Sequence, residues 1–106
     1  WADAMEILLT GDNIDAEQAR DIGLAWRVVA HDDLMNEAYS LAERLCQGAP
    51  LAVRAVKEVA TRSQRMGWTE AVRMGESIRR IVGSSDDAQE GVDAFREKRA
   101  PSWKGR

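Results

Sequence analysis

A single stretch rich in β-formers, Leu24-Ala25-Trp26-Arg27-Val28-Val29, stands in a chain whose other apolar residues recur at helical spacing. A lone strand leaves its backbone N–H and C=O groups without a ladder, and the sequence offers no second candidate to pair with it. The segment therefore predicts at most one short strand, with its partner outside the chain. Ahead of it, Ala2–Leu9 reads as an uncapped helix stopped by Thr10-Gly11. Asp15 with Gln18 has capping-box spacing, and Gly23 closes that short helix. From Asp32 onward the pattern is helical throughout. Leu34, Ala38, Leu41 and Leu45 make one apolar stripe that Gly48 ends, and Pro50 suits a first helical position. The helix after Pro50 carries Val53, Val56 and Ala60 on one face with Ala52, Ala55 and Val59 beside them. That stripe is wider than one neighbouring helix covers, which predicts contacts on two sides. Gly67 reads as the end of this helix and Thr69 as the next N-cap, followed by Ala71, Met74, Ile78, Ile81 and Val82 on one stripe. After the break at Gly83-Ser84-Ser85, a last helix carries Val92 and Phe95 as its apolar residues and runs out at Lys98-Arg99 before Pro101. The fold class expected is mainly α, built of short helices.

A chain of 106 residues allows one domain, which buries about 65% of its unfolded surface and so has one modest core. The net charge of −3 argues against a nucleic-acid binder. No apolar run approaches the roughly 20 residues of a membrane span, and no signal peptide is visible. Cys46 is the only cysteine, so no internal disulfide forms, which fits a reducing, cytoplasmic compartment. Charge is unevenly placed. Arg96, Lys98, Arg99, Lys104 and Arg106 against Glu97 give the last eleven residues +4, leaving −7 on the rest. A basic tail on an acidic body suggests an anionic partner, and it is also compatible with plain solvation.

The inventory excludes most catalytic arrangements. His31 is the only histidine, so with Cys46 alone beside it no zinc site of the usual Cys/His composition is available. His31 fits a loop position next to a helix start, and nothing resembles a nucleophile elbow. Asp32-Asp33 and Asp86-Asp87 are carboxylate pairs, but neighbours on a helix point about 100° apart. Both pairs lie at predicted helix starts, where negative charge is favoured in any case. There is no phosphate-cradling glycine loop. Cys46, beside Leu45, fits a small core residue better than a nucleophile. The dispersed tryptophans do not make a stacking platform. What remains is the segment from Phe95 to Lys104. Lys98 and Arg99 at a helix C-terminus interact with the macrodipole by about 0.3–1 kcal/mol. Lysine as a point charge and arginine as a fork also both suit a phosphate.

Five segments, in order, then carry a resemblance: Ala4-Met5-Glu6-Ile7-Leu8-Leu9-Thr10-Gly11; Asp15-Ala16-Glu17-Gln18-Ala19 with Ile22-Gly23-Leu24-Ala25-Trp26-Arg27-Val28-Val29; Ala49-Pro50-Leu51-Ala52-Val53 with Lys57; Asp86-Asp87-Ala88-Gln89-Glu90-Gly91; and Phe95-Arg96-Glu97-Lys98-Arg99-Ala100-Pro101. Together they resemble the C-terminal part of the crotonase superfamily, the enoyl-CoA hydratase/isomerase family, along essentially the whole chain. Trp26 stands where many members have a small polar residue, and Trp103 replaces a usual Phe.

The resemblance implies that residues 1–30 are the end of a β/α spiral core and residues 31–106 a C-terminal helical oligomerisation region. It implies a longer parent protein whose oxyanion-hole N–H groups and acidic catalytic residues lie upstream of Trp1. Such N–H donors stabilise a thioester enolate. No catalytic residue is therefore expected in this chain, which alone should be inactive. The implied parent reaction is hydration of a 2-enoyl-CoA, with the coenzyme A thioester as substrate and no separate cofactor. The implied partners are acyl-CoA and further copies of the chain, as a trimer or hexamer. Carried over by position, Lys98 falls on the lysine that contacts coenzyme A phosphates. Phe95 falls on the phenylalanine lining the acyl or adenine end, though a core place suits it better. Arg99 and Lys104 are adjacent basic residues. The rival reading is an autonomous helical self-association module without a ligand, since wide apolar stripes rarely face water.

Overall fold

A computed structural model describes residues 1–106 and contains six α-helices and no strand. The chain divides into two units, Trp1–Tyr39 and Ser40–Arg106.

In the first unit, α1 (Ala2–Thr10) ends at Gly11, whose φ of 72° lets its N–H bond Ile7 O at 3.0 Å. Such a left-handed cap is open to glycine without a Cβ penalty. The helix α2 (Ala16–Asp21) begins on the capping box read from the sequence. Gln18 N–H donates to Asp15 Oδ1 at 2.8 Å and Asp15 N–H to Gln18 Oε1 at 3.0 Å. The β-rich segment forms no strand. Leu24 and Ala25 instead fold back, both N–H groups donating to Ala19 O, and the following residues are irregular until a 3₁₀ turn at His31–Asp33. β-propensity alone does not make a strand when no second backbone runs alongside it. Arg27 is held by Glu37 at 2.6 Å, its guanidinium 4.7 Å from the Trp26 ring centroid. The helix α3 (Leu34–Cys46) begins in this unit and ends in the next. Cys46 is exposed and not a core residue.

The second unit holds α4 (Pro50–Ser63), α5 (Trp68–Gly83) and α6 (Asp86–Glu97). Pro50 occupies the first turn of α4, where its missing N–H costs nothing. The helix ends at Ser63 and not at Gly67; residues 64–67 form the link, with Arg65 and Met66 turned back onto Arg62 and Ser63. Gly67, not Thr69, is the N-cap of α5, so Thr69 is already helical. Glycine at an N-cap is only a few tenths of a kcal/mol poorer than a capping hydroxyl. The short link makes α4 and α5 an αα-hairpin, and Gly75 lets α5 approach the Val59 side chain. Ser85 caps α6, accepting from Ala88 N–H at 3.1 Å.

Only Ala94 and Asp87 are fully buried, each 2% exposed. The chain exposes 9040 Å², whereas compact bodies of the two units' sizes, taken separately, would expose about 7,000 Å². Large apolar side chains of the second unit are among those exposed: Val56 is 70% and Ile81 72% exposed.

Candidate functional site

Two features of the second unit invite a function. One is an apolar groove of about 530 Å³ along α4 and α5, reaching the start of α6. Ala52, Val56, Val59, Ile78 and Val82 line it, with Arg79 and Ser85 its only polar residues. This is the wide stripe seen in the sequence, and within the chain it stays open.

The other is the end of α6 with the residues that follow. One face of that helix, at spacing i, i+3, i+4, i+7, carries Asp87, Glu90, Gly91 and Ala94. The C-terminal residues fold back along this face. Both carboxylate oxygens of Asp87 accept from the tail, Lys104 N–H at 2.6 Å and Gly105 N–H at 2.8 Å. The Asp87 N–H in turn donates to Arg106 O at 3.2 Å. Successive backbone N–H groups converging on one oxyanion are a favourable anion cradle, and Gly105, at φ 73°, supplies the left-handed step. Glu90 accepts a fork from Arg99, 2.6 and 2.9 Å, and the Ser102 N–H at 2.6 Å. The Arg99 bond first, and then the Ser102 N–H, hold the Glu90 carboxyl down to about 2. Arg99 also binds Glu97 at 2.6 Å, and its two carboxylate partners raise it above the ordinary guanidinium range. The Trp103 ring lies over Gly91, where a Cβ would sit 3.4 Å from it, and its indole N–H donates to Gln47 O at 2.8 Å.

The apolar pattern on α6 is therefore inverted from the sequence reading. Val92 is 46% exposed, and Phe95, placed by preference in the core, is 86% exposed. The covered side is the small and acidic one, because the tail delivers N–H groups and a flat ring, which need carboxylates and a glycine. Asp87 sits in the first turn as anticipated, but its carboxylate binds the tail. The sequence assigns Glu90 and Gly91 no role, Asp87 only a place at a helix start and Trp103 only the replacement of a usual Phe; the spacing that Asp87, Glu90 and Gly91 share with Ala94 was the available signal.

Of the residues singled out, Arg99 and Lys104 line an acidic cleft with Asp86, Asp87, Glu90 and Asp93, and Lys98 and Phe95 do not. Lys98 is exposed and enters no ion pair. Its backbone is unusual: at φ 54°, ψ 37° it is the only non-glycine residue with positive φ. Lys98 N–H bonds Phe95 O and Arg99 N–H bonds Ala94 O, the 5→2 and 6→1 pair of a Schellman motif. Glycine is the usual residue there, and a side chain in that conformation costs about 1–2 kcal/mol. No helix is long and apolar enough to cross a membrane.

The family model of enoyl-CoA hydratase/isomerase matches residues 1–106. The carnitinyl-CoA dehydratase of Salmonella typhi is 42% identical over 105 residues, covering 95% of this chain and 40% of its own length. That of Citrobacter koseri is 43% identical with the same coverage. The enoyl-CoA hydratase of Bacillus anthracis superposes with a TM-score of 0.94 at 32% identity, over 100% of this chain and 41% of that one. The enoyl-CoA hydratase of Mycobacterium tuberculosis H37Rv gives 0.92 at 38%, over 99% and 42%. The chain thus spans about two fifths of the length of the relatives it matches. A match along every residue, with relatives above 40% identity and solved folds above a TM-score of 0.9, places this chain in the enoyl-CoA hydratase/isomerase family.

Proposed function

We propose that the chain is the C-terminal helical part of an acyl-CoA-processing enzyme, contributing a phosphate contact for the coenzyme A thioester and a surface for subunit assembly. Residues 1–30 would close a β/α spiral core and residues 31–106 form the assembly region, in a cytoplasmic trimer or hexamer. The parent reaction is addition of water to a 2-enoyl-CoA, or its reverse; the carnitinyl-CoA dehydratases among the relatives are named for removal of water. The thioester is substrate, and no separate cofactor enters.

The observation that carries the reading is Lys98, a lysine kept where a helix end prefers glycine, with its ammonium unpaired. A cationic side chain retained against a backbone cost points to use of the side chain. Phe95, 86% exposed on the same last turns, offers an apolar surface beside it. The test is calorimetric titration of the chain with coenzyme A, with its form lacking the 3′-phosphate, and with Lys98→Asn. Asparagine tolerates the left-handed conformation while removing the charge. Loss of one charge-assisted contact should weaken binding about tenfold. Equal affinity of wild type and Lys98→Asn would sink the reading.

The second reading, self-association without a ligand, is favoured by the open groove along α4 and α5. Sedimentation equilibrium decides it: a strictly monomeric chain at high micromolar concentration would exclude it.

A further inference from the structure

We infer that Asp87 and Glu90 are positioning residues for the end of α6: they strap residues 99–106 against the helix, and the strap fixes Lys98 as the cation offered to a phosphate. The inference rests, for its ligand, on the reading of Lys98 proposed above.

Three observations converge. First, Asp87 is buried to 2% exposure with both oxygens engaged by Lys104 and Gly105 N–H, so the tail is anchored at its far end. Second, Glu90 takes the Arg99 fork and the Ser102 N–H, anchoring the near end immediately after Lys98. The chain must reverse between Glu97, the last helical residue, and Arg99, which reaches back nine residues to Glu90. Lys98 is the single residue in which that reversal happens, and the left-handed conformation accomplishes it. A strained backbone persists where its surroundings over-determine it, and here both sides of Lys98 are tied to α6. Third, the strap sorts the cations. Arg99 is consumed by Glu90 and Glu97, and Lys104 lies beside the acidic cleft that a phosphate avoids. Lys98 alone points from this turn without a carboxylate partner.

The test pairs two readouts on Asp87→Asn, Glu90→Gln and Lys98→Asn. Hydrogen exchange at the Lys104, Gly105 and Ser102 amides and the Trp103 indole reports the strap; calorimetry with coenzyme A reports the site. Asp87→Asn keeps one oxygen of two, and Glu90→Gln keeps the Ser102 acceptor but loses the charged fork, so neither variant empties the site of acceptors. Both should speed exchange along the strap at least tenfold and weaken coenzyme A several-fold. Lys98→Asn should leave exchange unchanged and weaken coenzyme A about tenfold. Faster exchange with undiminished coenzyme A affinity would overturn the positioning role, leaving Lys98 as a ligand contact. Unchanged exchange in both carboxylate variants would overturn the strap itself. Absence of coenzyme A binding in the wild type, or full binding by Lys98→Asn, would remove the ligand reading and the positioning role with it, while the exchange data still answer for the strap.

Discussion

The α4/α5 hairpin and the α6 end of the same unit solve opposite problems. The hairpin presents methyl groups along an open groove lined by Val56, and Val56 and, outside the groove, Ile81 are more than two thirds exposed. The α6 face is acidic and small, yet it holds the only two fully buried residues in the chain, Asp87 and Ala94. The difference is what the chain itself supplies as cover. A tail of polar backbone and one indole can satisfy carboxylates and lie on a glycine, but it cannot fill an apolar groove. Burial here follows donors and acceptors more than hydrophobicity, so the usual ranking of substitution costs should be reversed between the two regions.

The largest effect tests that reversal directly. Asp87→Ala leaves the Lys104 and Gly105 N–H groups without their acceptor and removes a buried charge-assisted pair of bonds. A loss of about 2–3 kcal/mol is expected in denaturant unfolding of the chain. A loss below about 0.5 kcal/mol, the range of ordinary surface changes, would mean that the strap does not hold.

Acid should open the same strap. Glu90 has its folded carboxyl at about 2, against about 4.3 in an unfolded chain. Because the folded value is the lower, the stability it contributes is present above the ordinary carboxylate range and is lost as pH falls from about 4.3 toward 2. Asp86, Asp87 and Asp93 line the same cleft, and Glu97 shares Arg99 with Glu90. The indole N–H resonance of Trp103, bonded to Gln47 O, is the readout. It should move toward the free indole position across that window in the wild type and far less in Glu90→Gln.

Smaller in size and opposite in sign is Lys98→Gly. Relief of the left-handed conformation should stabilise the chain by about 1 kcal/mol, while coenzyme A binding falls as for Lys98→Asn. Gain of stability with loss of binding would mark the strain at Lys98 as kept for its side chain. If stability falls instead, the lysine stem is a packing element and the proposed phosphate contact loses its main support.

How much of this was legible follows the same division. Local signals that need only neighbours in sequence were plain: the Asp15–Gln18 capping box, Pro50 in the first turn of α4, and the stripes of α4 and α5. Family membership was legible too, from five ordered segments. The strap was not, because its carboxylate bonds join residues 9 to 18 apart and one acceptor, Asp87, reads from sequence as a helix-start residue. An i, i+3, i+4, i+7 face of Asp, Glu, Gly and Ala does not look like a contact surface until the tail is known to bring N–H groups to it. Leu24–Val29 shows the converse: its composition allows at most one short strand, but a strand is a property of two segments, and within the chain none forms.

The smallest effect is expected where a hydrophobic reading would put the largest. Val56→Asn and Ile81→Asn replace side chains 70% and 72% exposed, so each should change the unfolding free energy of the chain by no more than about 0.5 kcal/mol. Burial of one such side chain in an interface is worth about 1.5–3 kcal/mol. The same substitutions should therefore weaken self-association, read by sedimentation, far more than they weaken the fold. That pairing separates a surface awaiting cover from one already covered. Should Val56→Asn cost about 2 kcal/mol or more in dilute chain, the groove that Val56 lines is closed in solution by the chain's own helices. The contrast between a self-satisfied α6 and an open hairpin would then collapse. A neutral Val56→Asn beside a costly Asp87→Ala would instead establish that this unit is held at its polar end and left to associate through its apolar one.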